Sequence, residues 1–478
     1  MPSDFGVANA SRRILSPMMN KNNQLNLMEI KIPDEVRYII NTLENNGCEA
    51  YAVGGCVRDC LLGKEPKDWD ICTPAQPEHT MKYFAGHHII KTGLKHGTIT
   101  LRINHNSFEV TTYRIDGAYT DNRHPDKVEF ANDLKEDLSR RDFTINAMAY
   151  NPKTGVVDFF GGAKDLDYGI IKCVGDAGKR FQEDALRIMR ALRLASVLGF
   201  SINSDTSNAI LDNKNLLKNI AVERVAAELN QLIVGNGARS ILLKYISVIT
   251  EIIPELSSTI GFEQNNPYHC YDVLNHILYS VENARKDVCI RLIMLFHDIA
   301  KPECYSEADG IGHAYGHPQV SSDTAKKILL RLKYDNNTIE TVTQLILHHD
   351  ADIQPHRKHI RRWLNKIGEK RLRQLIEVKR ADAMAQSPYS RHKKIDNITG
   401  MLILMDDIIK QRQCFALKDL AVNGGHLVNL GIAEGVKIGI ILNKLMNMVI
   451  DGHIENDKIK LLETADRLHK EQHGIHGI

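Results

Sequence analysis

The chain is expected to be a multidomain α+β protein with a strand-containing head and helical domains after it. Three observations predict this. Strand-like runs at 49–53, 70–73, 98–103 and 108–113 are confined to the early part of the sequence. After about Val174 they stop and helical periodicity takes over. A chain of 478 residues is also too long for a single core. The expected divisions are a disordered extension at 1–28, a head at 29–175, a helical neck at 176–255, a His- and Asp-rich helical domain at 256–390 and a last helical domain at 391–478.

The first helix is predicted over 33–46, where Val36, Ile39, Ile40 and Leu43 recur at helical spacing and Gly47 ends the run. Next, 51–73 reads as strand, Gly54-Gly55 turn, short helix, then a strand carrying Asp68 and Asp70. Residues two apart on a strand share a face, so both carboxylates project together with Trp69 turned away. Adjacent like charges raise each other's pKa unless a cation lies between them, and Mg²⁺ suits such a seat. The two glycines leave room for a triphosphate beside the backbone, and Arg58 follows to meet its charge. The hairpin 98–113 turns at 104–107. It would bring Glu109 to the same seat if its second strand lay beside the Asp68–Asp70 strand. Otherwise Glu109 is a solvated strand residue.

Composition narrows the class. Hydrophobic and charged contents of 43% and 25% are those of a globular protein, and a net charge of +2 requires any nucleic-acid surface to be a local patch. Nine cysteines, scattered without paired metal-ligand spacing, fit reduced thiols in a cytoplasm, and Cys56 and Cys60 read as packing residues. No apolar run is long enough to cross a membrane. The Asn-, Ser- and Met-rich start is no signal-peptide core, and reads as a disordered extension or a start codon set too far upstream.

Further along, Arg140, Arg141, Asp142 and Asn146 precede what reads as an apolar helical run, and 116–130 reads as a polar loop held by Tyr119 and Pro125. The arginines and Asp142 form either a salt-bridged helix start or a hold on triphosphate oxygens and a ribose hydroxyl. In 183–193, Asp184 and Arg187 are three apart on a predicted helix and share a face, with Arg190 one turn on. They form either an ion pair or a reader of base edges. A carboxylate accepts from the exocyclic amine of C or A while a guanidinium donates to the neighbouring ring nitrogen; U and G face the wrong partners at both positions. The wrong base leaves buried groups unpaired, at about 1–3 kcal/mol each.

The segments GGxVRD, DxD, RRDFTxNA and EDxxR, in this order over 30–232, resemble the class II tRNA nucleotidyltransferases and bacterial poly(A) polymerases. The resemblance implies a small mixed-sheet, polymerase-beta-like nucleotidyltransferase head and an all-α remainder. It implies two catalytic metals on Asp68 and Asp70, Mg²⁺ in the head, with Glu109 as a candidate third carboxylate. Gly54, Gly55, Arg58, Arg141, Asp142, Asn146 and Arg190 would bind the nucleotide, with Asp184 and Arg187 as the protein template for CTP and ATP. Glu223, Arg224, Glu228 and Leu229 match an ERxxxEL element of the family's neck. The implied reaction is addition or repair of the 3′-terminal CCA of tRNA. Poly(A) synthesis and partial, CC- or A-only, addition share these motifs.

His276, His297-Asp298, His317, His348-His349 and Asp382 recur at helix ends in the next region, with Lys301 three residues after Asp298. Imidazole with carboxylate suits a divalent transition metal. The order resembles HD-domain metal-dependent phosphohydrolases, which implies phosphatase or cyclic-phosphodiesterase activity on RNA ends or nucleotides. A rival of another class is therefore a nucleotide phosphohydrolase whose head serves only to bind RNA. Within 356–380, Arg361, Arg362, Lys366, Arg371 and Arg373 around Trp363 form either a phosphate-binding stripe or a solvated helix face. The last segment resembles the family's RNA-binding body. The family's Gly-Asp-Leu is replaced there by Gly425-His426-Leu427, which puts a capping role at that turn in doubt.

Overall fold

The structure is a computed structural model that describes residues 29–116 and 128–473, and it divides into two compact units, Met1–Pro254 and Glu255–Ile478. The expected extension at 1–28 and the loop residues Tyr119 and Pro125 lie outside the described residues.

Helix α1 (Asp34–Asn45) forms because one face is apolar. Val36, Ile39, Ile40 and Leu43 are all at most 1% exposed, each contributing about 1.5–3 kcal/mol by burial. The head sheet has seven strands: β1 (Tyr51–Val53), β2 (Asp70–Thr73), β3 (His88–Ile90), β4 (Thr98–Ile103), β5 (Asn106–Thr112), β6 (Met148–Asn151) and β7 (Gly155–Asp158). Their order is β3-β4-β5-β2-β1-β6-β7. The sheet is mixed: β2 and β5 run parallel with Asp70 opposite Glu109, and the other neighbours are antiparallel. Helix α2 (Gly55–Leu61) follows β1.

Three features differ from the sequence reading. Asp68 lies two residues before β2 and outside the strand, because ladder pairing begins at Asp70. The apolar run after Arg141 is a single 3₁₀ turn at Thr144–Asn146 followed by the central strand β6. Every β6 residue is buried, and a strand covered on both faces loses the alternation that marks strands. The hairpin turn contracts to Asn104-His105, at φ +48° and +67°.

In the head, α3 (Leu134–Ser139) leads into the arginine motif, and the neck follows with α4 (Ala177–Glu183), α5 (Leu186–Leu198) and α6 (Val222–Ile233). A two-residue parallel pair joins Ile170–Ile171 to Ser201–Ile202, the second of which lies in the stretch after Val174 where only helix was expected.

The second unit contains α7 (Val273–Asn283), α8 (Val288–Phe296), α9 (His317–Arg331), α10 (Asn336–His348) and α11 (Arg357–Met384), the last broken at Gly368. An unexpected hairpin, Tyr305–Ala308 with Ile311–Ala314, precedes α9. Further on, α12 (Gly424–Val428) and α13 (Val436–Asp451) close over Val422, Leu427, Ile441 and Leu445. His426 resolves the doubt at its turn. Its backbone N–H donates to Asn423 Oδ1 at 3.2 Å, and its Nδ1 accepts from the Asn423 N–H at 3.1 Å, a capping box with imidazole in the usual Glu place.

Two consecutive left-handed residues define a tight hairpin in which the second position favours glycine. His105→Gly is therefore expected to raise head stability by about 0.5–1 kcal/mol, read as a higher urea midpoint at unchanged slope; a lower midpoint contradicts this account of the turn.

Candidate active site and metal centre

The head site is built where β1 ends. Gly54 has φ +87°, and a Cβ there would stand 2.9 Å from Arg141 Nη1. The bare backbone is thus what lets the Arg141 guanidinium lie against the turn. Arg141 carries its charge toward Asp70, and its Nη2 is 3.6 Å from Asp137 Oδ2. Asp137 is fully buried and also accepts from Arg140 Nε and Nη2 at 3.0 and 2.7 Å. The sequence reading missed this carboxylate, although its position three and four residues before the two arginines was a usable signal.

Trp69 is 8% exposed while Asp68 is exposed and Asp70 half-buried, as expected if the two acids face away from the core. Glu109 is exposed, between buried Phe108 and Val110, and sits opposite Asp70. Burial raises the Asp70 pKa, Arg141 opposes that, and Glu109 and Asp68 push it up further. A half-buried carboxylate facing two others is the chemistry of a divalent-cation seat, so these residues fit Mg²⁺.

Asp142 is the hub behind this seat. Its Oδ2 accepts from Arg190 Nε and Nη2 at 2.8 and 2.5 Å, and its Oδ1 accepts from the Phe143 N–H at 2.8 Å and Asn146 Nδ2 at 3.1 Å. Asn146 Oδ1 in turn accepts from Arg58 Nη1 at 2.7 Å. Burial alone would raise the Asp142 pKa, but the Arg190 charge and the donated hydrogen bonds hold it at about 2.

The base-reading pair is arranged differently from the expectation. Asp184 is not on a helix with Arg187: it adopts φ −139°, ψ 103° at the break between α4 and α5. Its carboxylate accepts from the Leu186 N–H at 3.1 Å and lies 3.4 Å from Arg224 Nη2. Arg187 donates to Glu183 Oε2 at 2.5 Å and to the carbonyls of Arg180 and Arg140, both at 3.0 Å. The helical spacing failed because Asp184 bonds the N–H two residues on, a turn geometry that Asp favours over helix interior. Glu228 of the ERxxxEL element forms an ion pair with Arg193, its Oε2 2.5 Å from Nε.

In the second unit, six of the seven candidate ligands converge. His276 lies on α7, His297 and Asp298 end α8, His317 opens α9, His349 follows α10 and Asp382 lies on α11. Asp298 Oδ2 is 3.1 and 3.3 Å from the Nε2 atoms of His276 and His297, and its Oδ1 is 3.1 and 3.5 Å from those of His317 and His349. Asp382 Oδ1 is 3.0 Å from His276 Nε2. His348 is the exception, because consecutive helix-end residues point apart: its ring packs edge-on to Trp363 at 5.1 Å.

Each of the four imidazoles is oriented from behind. Their Nδ1 atoms lie at 3.3, 2.8, 2.7 and 2.7 Å from the carbonyl oxygens of Ala385, Met294, Ala314 and Ile346. A carbonyl can only accept, so Nδ1 carries the proton and Nε2 presents its lone pair inward. Lone pairs then meet at 3.2 Å (His276–His297) and 3.3 Å (His317–His349), around a buried carboxylate. That set is electrostatically incomplete without cations. Without one, Asp298 and Asp382 override burial and raise the His297 pKa to about 10. The sequence reading did not assign Lys301 a role in the site. Its Nζ is 2.7 Å from Asp298 Oδ2 and donates to Gln264 Oε1 at 3.0 Å.

The arginines of 356–380 are engaged within the unit. Arg361 donates to the Val449 and Ile450 carbonyls, Arg362 to Asp451, and Arg371 to Gln344 and Glu340. Lys366 sits over the Trp363 ring at 4.6 Å. These cations tie α11 to its neighbours within the unit. Among the described residues no helix is long and apolar enough to cross a membrane.

The fold and head site define a nucleotidyltransferase: residues 50–172 match the Poly A polymerase head domain, 199–259 the RNA- and SrmB-binding site of polymerase A, and 317–465 tRNA nucleotidyltransferase domain 2. The chain is 33% identical to a CCA-adding enzyme of Lactobacillus helveticus over 91% of its own length and 99% of that protein's. For a CCA-adding enzyme of Ligilactobacillus salivarius the identity is 31%, over 92% and 98%. The Bacillus stearothermophilus CCA-adding enzyme, solved in complex with CTP, superposes with a TM-score of 0.65 at 26% identity, covering 92% of this chain and 98% of that one. The Thermotoga maritima enzyme, solved with tRNA, shares the fold at a TM-score of 0.59 and 20% identity, covering 91% and 96%. The chain belongs to the CCA-adding enzymes.

The Asp142 shift has a checkable sign. Because the folded pKa is depressed, the stabilisation is present above about pH 4, the unfolded value, and lost as pH falls through about 2. Arg190→Met removes the charge that opposes burial of the carboxylate, costing about 3 kcal/mol near neutral pH, and the loss should shrink as the pH falls and Asp142 protonates. A loss that is absent at neutral pH, or that does not shrink on acidification, read by urea unfolding with circular dichroism, contradicts the hub role.

Proposed function

We propose that this CCA-adding enzyme builds or repairs the tRNA 3′ end from CTP and ATP by two-metal phosphoryl transfer, and that its histidine centre is an HD-type phosphohydrolase site. The observation that carries the first half is the meeting of Asp68, Asp70 and Glu109 with Arg141 beside the bare Gly54 turn. Asp68 and Asp70 would hold Mg²⁺, with Glu109 alongside; bound there, the ions supply Lewis acidity at the RNA 3′-hydroxyl and charge neutralisation at the leaving pyrophosphate. The remaining work belongs to the chain. Arg141 and Arg58 meet triphosphate oxygens, and Gly54 and Gly55 let the phosphates approach the backbone. Asp142 and Asn146 receive the ribose while Arg190 holds Asp142 in place. In the displacement, the 3′ oxygen bonds to the α-phosphorus, the bond to the bridging oxygen breaks, and pyrophosphate leaves.

Base choice falls to Asp184 and Arg187. In the nucleotide-free arrangement Glu183 and two carbonyls occupy the Arg187 donors. Binding C or A exchanges those contacts for a ring nitrogen, while Asp184 accepts from the exocyclic amine. For the second half, the inward lone pairs of four imidazoles around Asp298, with Asp382, support a divalent transition metal and phosphoester hydrolysis at RNA ends or nucleotides.

The test offers tRNA lacking its last three nucleotides, with Mg²⁺ and each nucleotide singly and in pairs. Three additions that need both CTP and ATP, then a stop, are expected. A growing ladder with ATP alone would make it a poly(A) polymerase, and no extension would favour a hydrolase with an RNA-binding head. Asp70→Ala should abolish addition by at least about 10³-fold and leave phosphatase activity in place; loss of both defeats the two-site division. Arg187→Ala should relax base choice more than it weakens tRNA binding, and an equal loss with every nucleotide defeats the template role.

A further inference from the structure

Asp137 lies on α3 between Leu134 and Leu138, which join a core cluster with Cys72 and Tyr113. Its side chain is fully buried, and a carboxylate there is costly unless cations meet it. Arg140 Nε and Nη2 serve one oxygen, Oδ1, at 3.0 and 2.7 Å. The Arg114 N–H donates to the same oxygen at 3.4 Å. Among the described residues Oδ2 accepts no hydrogen bond; the cation beside it is Arg141, with Nη2 at 3.6 Å.

Arg141 is thereby held between two carboxylates. Asp70 and Cys72 are two apart on β2 and share a face. Burial and then Asp137 raise the Cys72 pKa while Arg141 opposes them, so Asp137 stands toward the Cys72 end of that face. Asp70 is the other end; burial raises its pKa and the Arg141 charge opposes that. Among the described residues Arg141 forms an ion pair with Asp137 and none with Asp70. Two arrangements therefore compete for one guanidinium. Closing on Asp70 would neutralise the carboxylate that a divalent ion needs and would occupy donors with protein. Drawn back toward Asp137, Arg141 leaves the Asp70 charge only partly opposed and keeps its donors for phosphate oxygens.

Resting on the reading of Asp68 and Asp70 as the Mg²⁺ seat, we propose that Asp137 is a positioning residue: it holds Arg141 back from Asp70 and so keeps the seat open to a divalent ion. Asp137 acts only through Arg141, from the core side of β2, and itself touches neither ion nor nucleotide. Arg140 shares the same carboxylate, so it sets how strongly Asp137 draws on Arg141.

The experiment titrates the full-length protein with Mn²⁺ and follows the unbound ion by electron paramagnetic resonance. The head ion is the one that Asp70→Ala removes, which separates it from any ion at the histidine centre. Asp137→Asn should raise its half-saturation concentration about tenfold, the least that one cation brought within a few ångströms does to a carboxylate's proton affinity. With Arg141→Gln added, the midpoint should return to that of Arg141→Gln alone, because the residue that carries the effect is gone. Circular dichroism and the urea midpoint verify folding; a merely structural Asp137 would lower that midpoint and leave ion binding where it was. Arg140→Gln, which leaves Asp137 to Arg141 alone, should move half-saturation to lower Mn²⁺ and keeps the test decisive if Asp137→Asn does not fold. An unchanged head ion in Asp137→Asn, or a shift that persists when Arg141 is also replaced, overturns the positioning role, as does an unchanged or weaker ion in Arg140→Gln. No ion sensitive to Asp70→Ala overturns instead the reading of the head as a metal seat.

Discussion

A buried carboxylate must be compensated, and the head is organised around meeting that demand at Asp142. Removed from water, its charge is costly on its own. The structure answers with Arg190 on α5, Asn146 from the 3₁₀ turn and the Phe143 N–H. Because those partners come from the neck helix and from the turn before β6, one ion pair fixes the position of α5 against the sheet. Arg58 joins through Asn146, so the helix after the Gly54 turn is tied to the same point. The seat at Asp68 and Asp70 is therefore presented by a framework whose own charges are already paired.

Asp70 is the contrasting case. Its neighbours Glu109 and Asp68 raise its pKa rather than lower it, and Arg141 relieves it only in part. One carboxylate is compensated by the protein, while the other is left with its charge only partly opposed. The same division recurs at the histidine centre. Backbone carbonyls hold every Nδ1, so the four imidazoles are rigid on one side and unsatisfied on the other. At both places the chain leaves groups whose compensation it does not itself supply.

The cations of α11 make partners within their own unit. The arginines of α11 carry the density expected of a phosphate-binding helix, yet Asp451, Glu340 and the carbonyls ending α13 take their donors. Helix-end carbonyls lack intrahelical partners, and a guanidinium from a neighbouring helix satisfies them well. Asp137 shows the converse: an unremarked acid in a polar stretch is fully buried and anchors both arginines of the head motif.

Local physics made much of this chain readable before any fold was known. The periodicity of α1 and the strand carrying Asp70 follow from spacing, because alternation and helical pitch are properties of a few consecutive residues. β6 escaped because burial on both faces erased its period, and Asp184 escaped because a side chain bonding its own backbone broke the helix that spacing implied. The partner of each charged group was not readable at all. Which arginine meets Asp142, which His faces Asp298 and which turns to Trp363, and whether α11 displays its cations or ties them down depend on contacts between residues far apart in sequence. The sequence by itself determined the kinds of chemistry available and the elements that carry them; the tertiary structure decided which charges are neutralised and which are left to bind, since electrostatic compensation is set by distance in space.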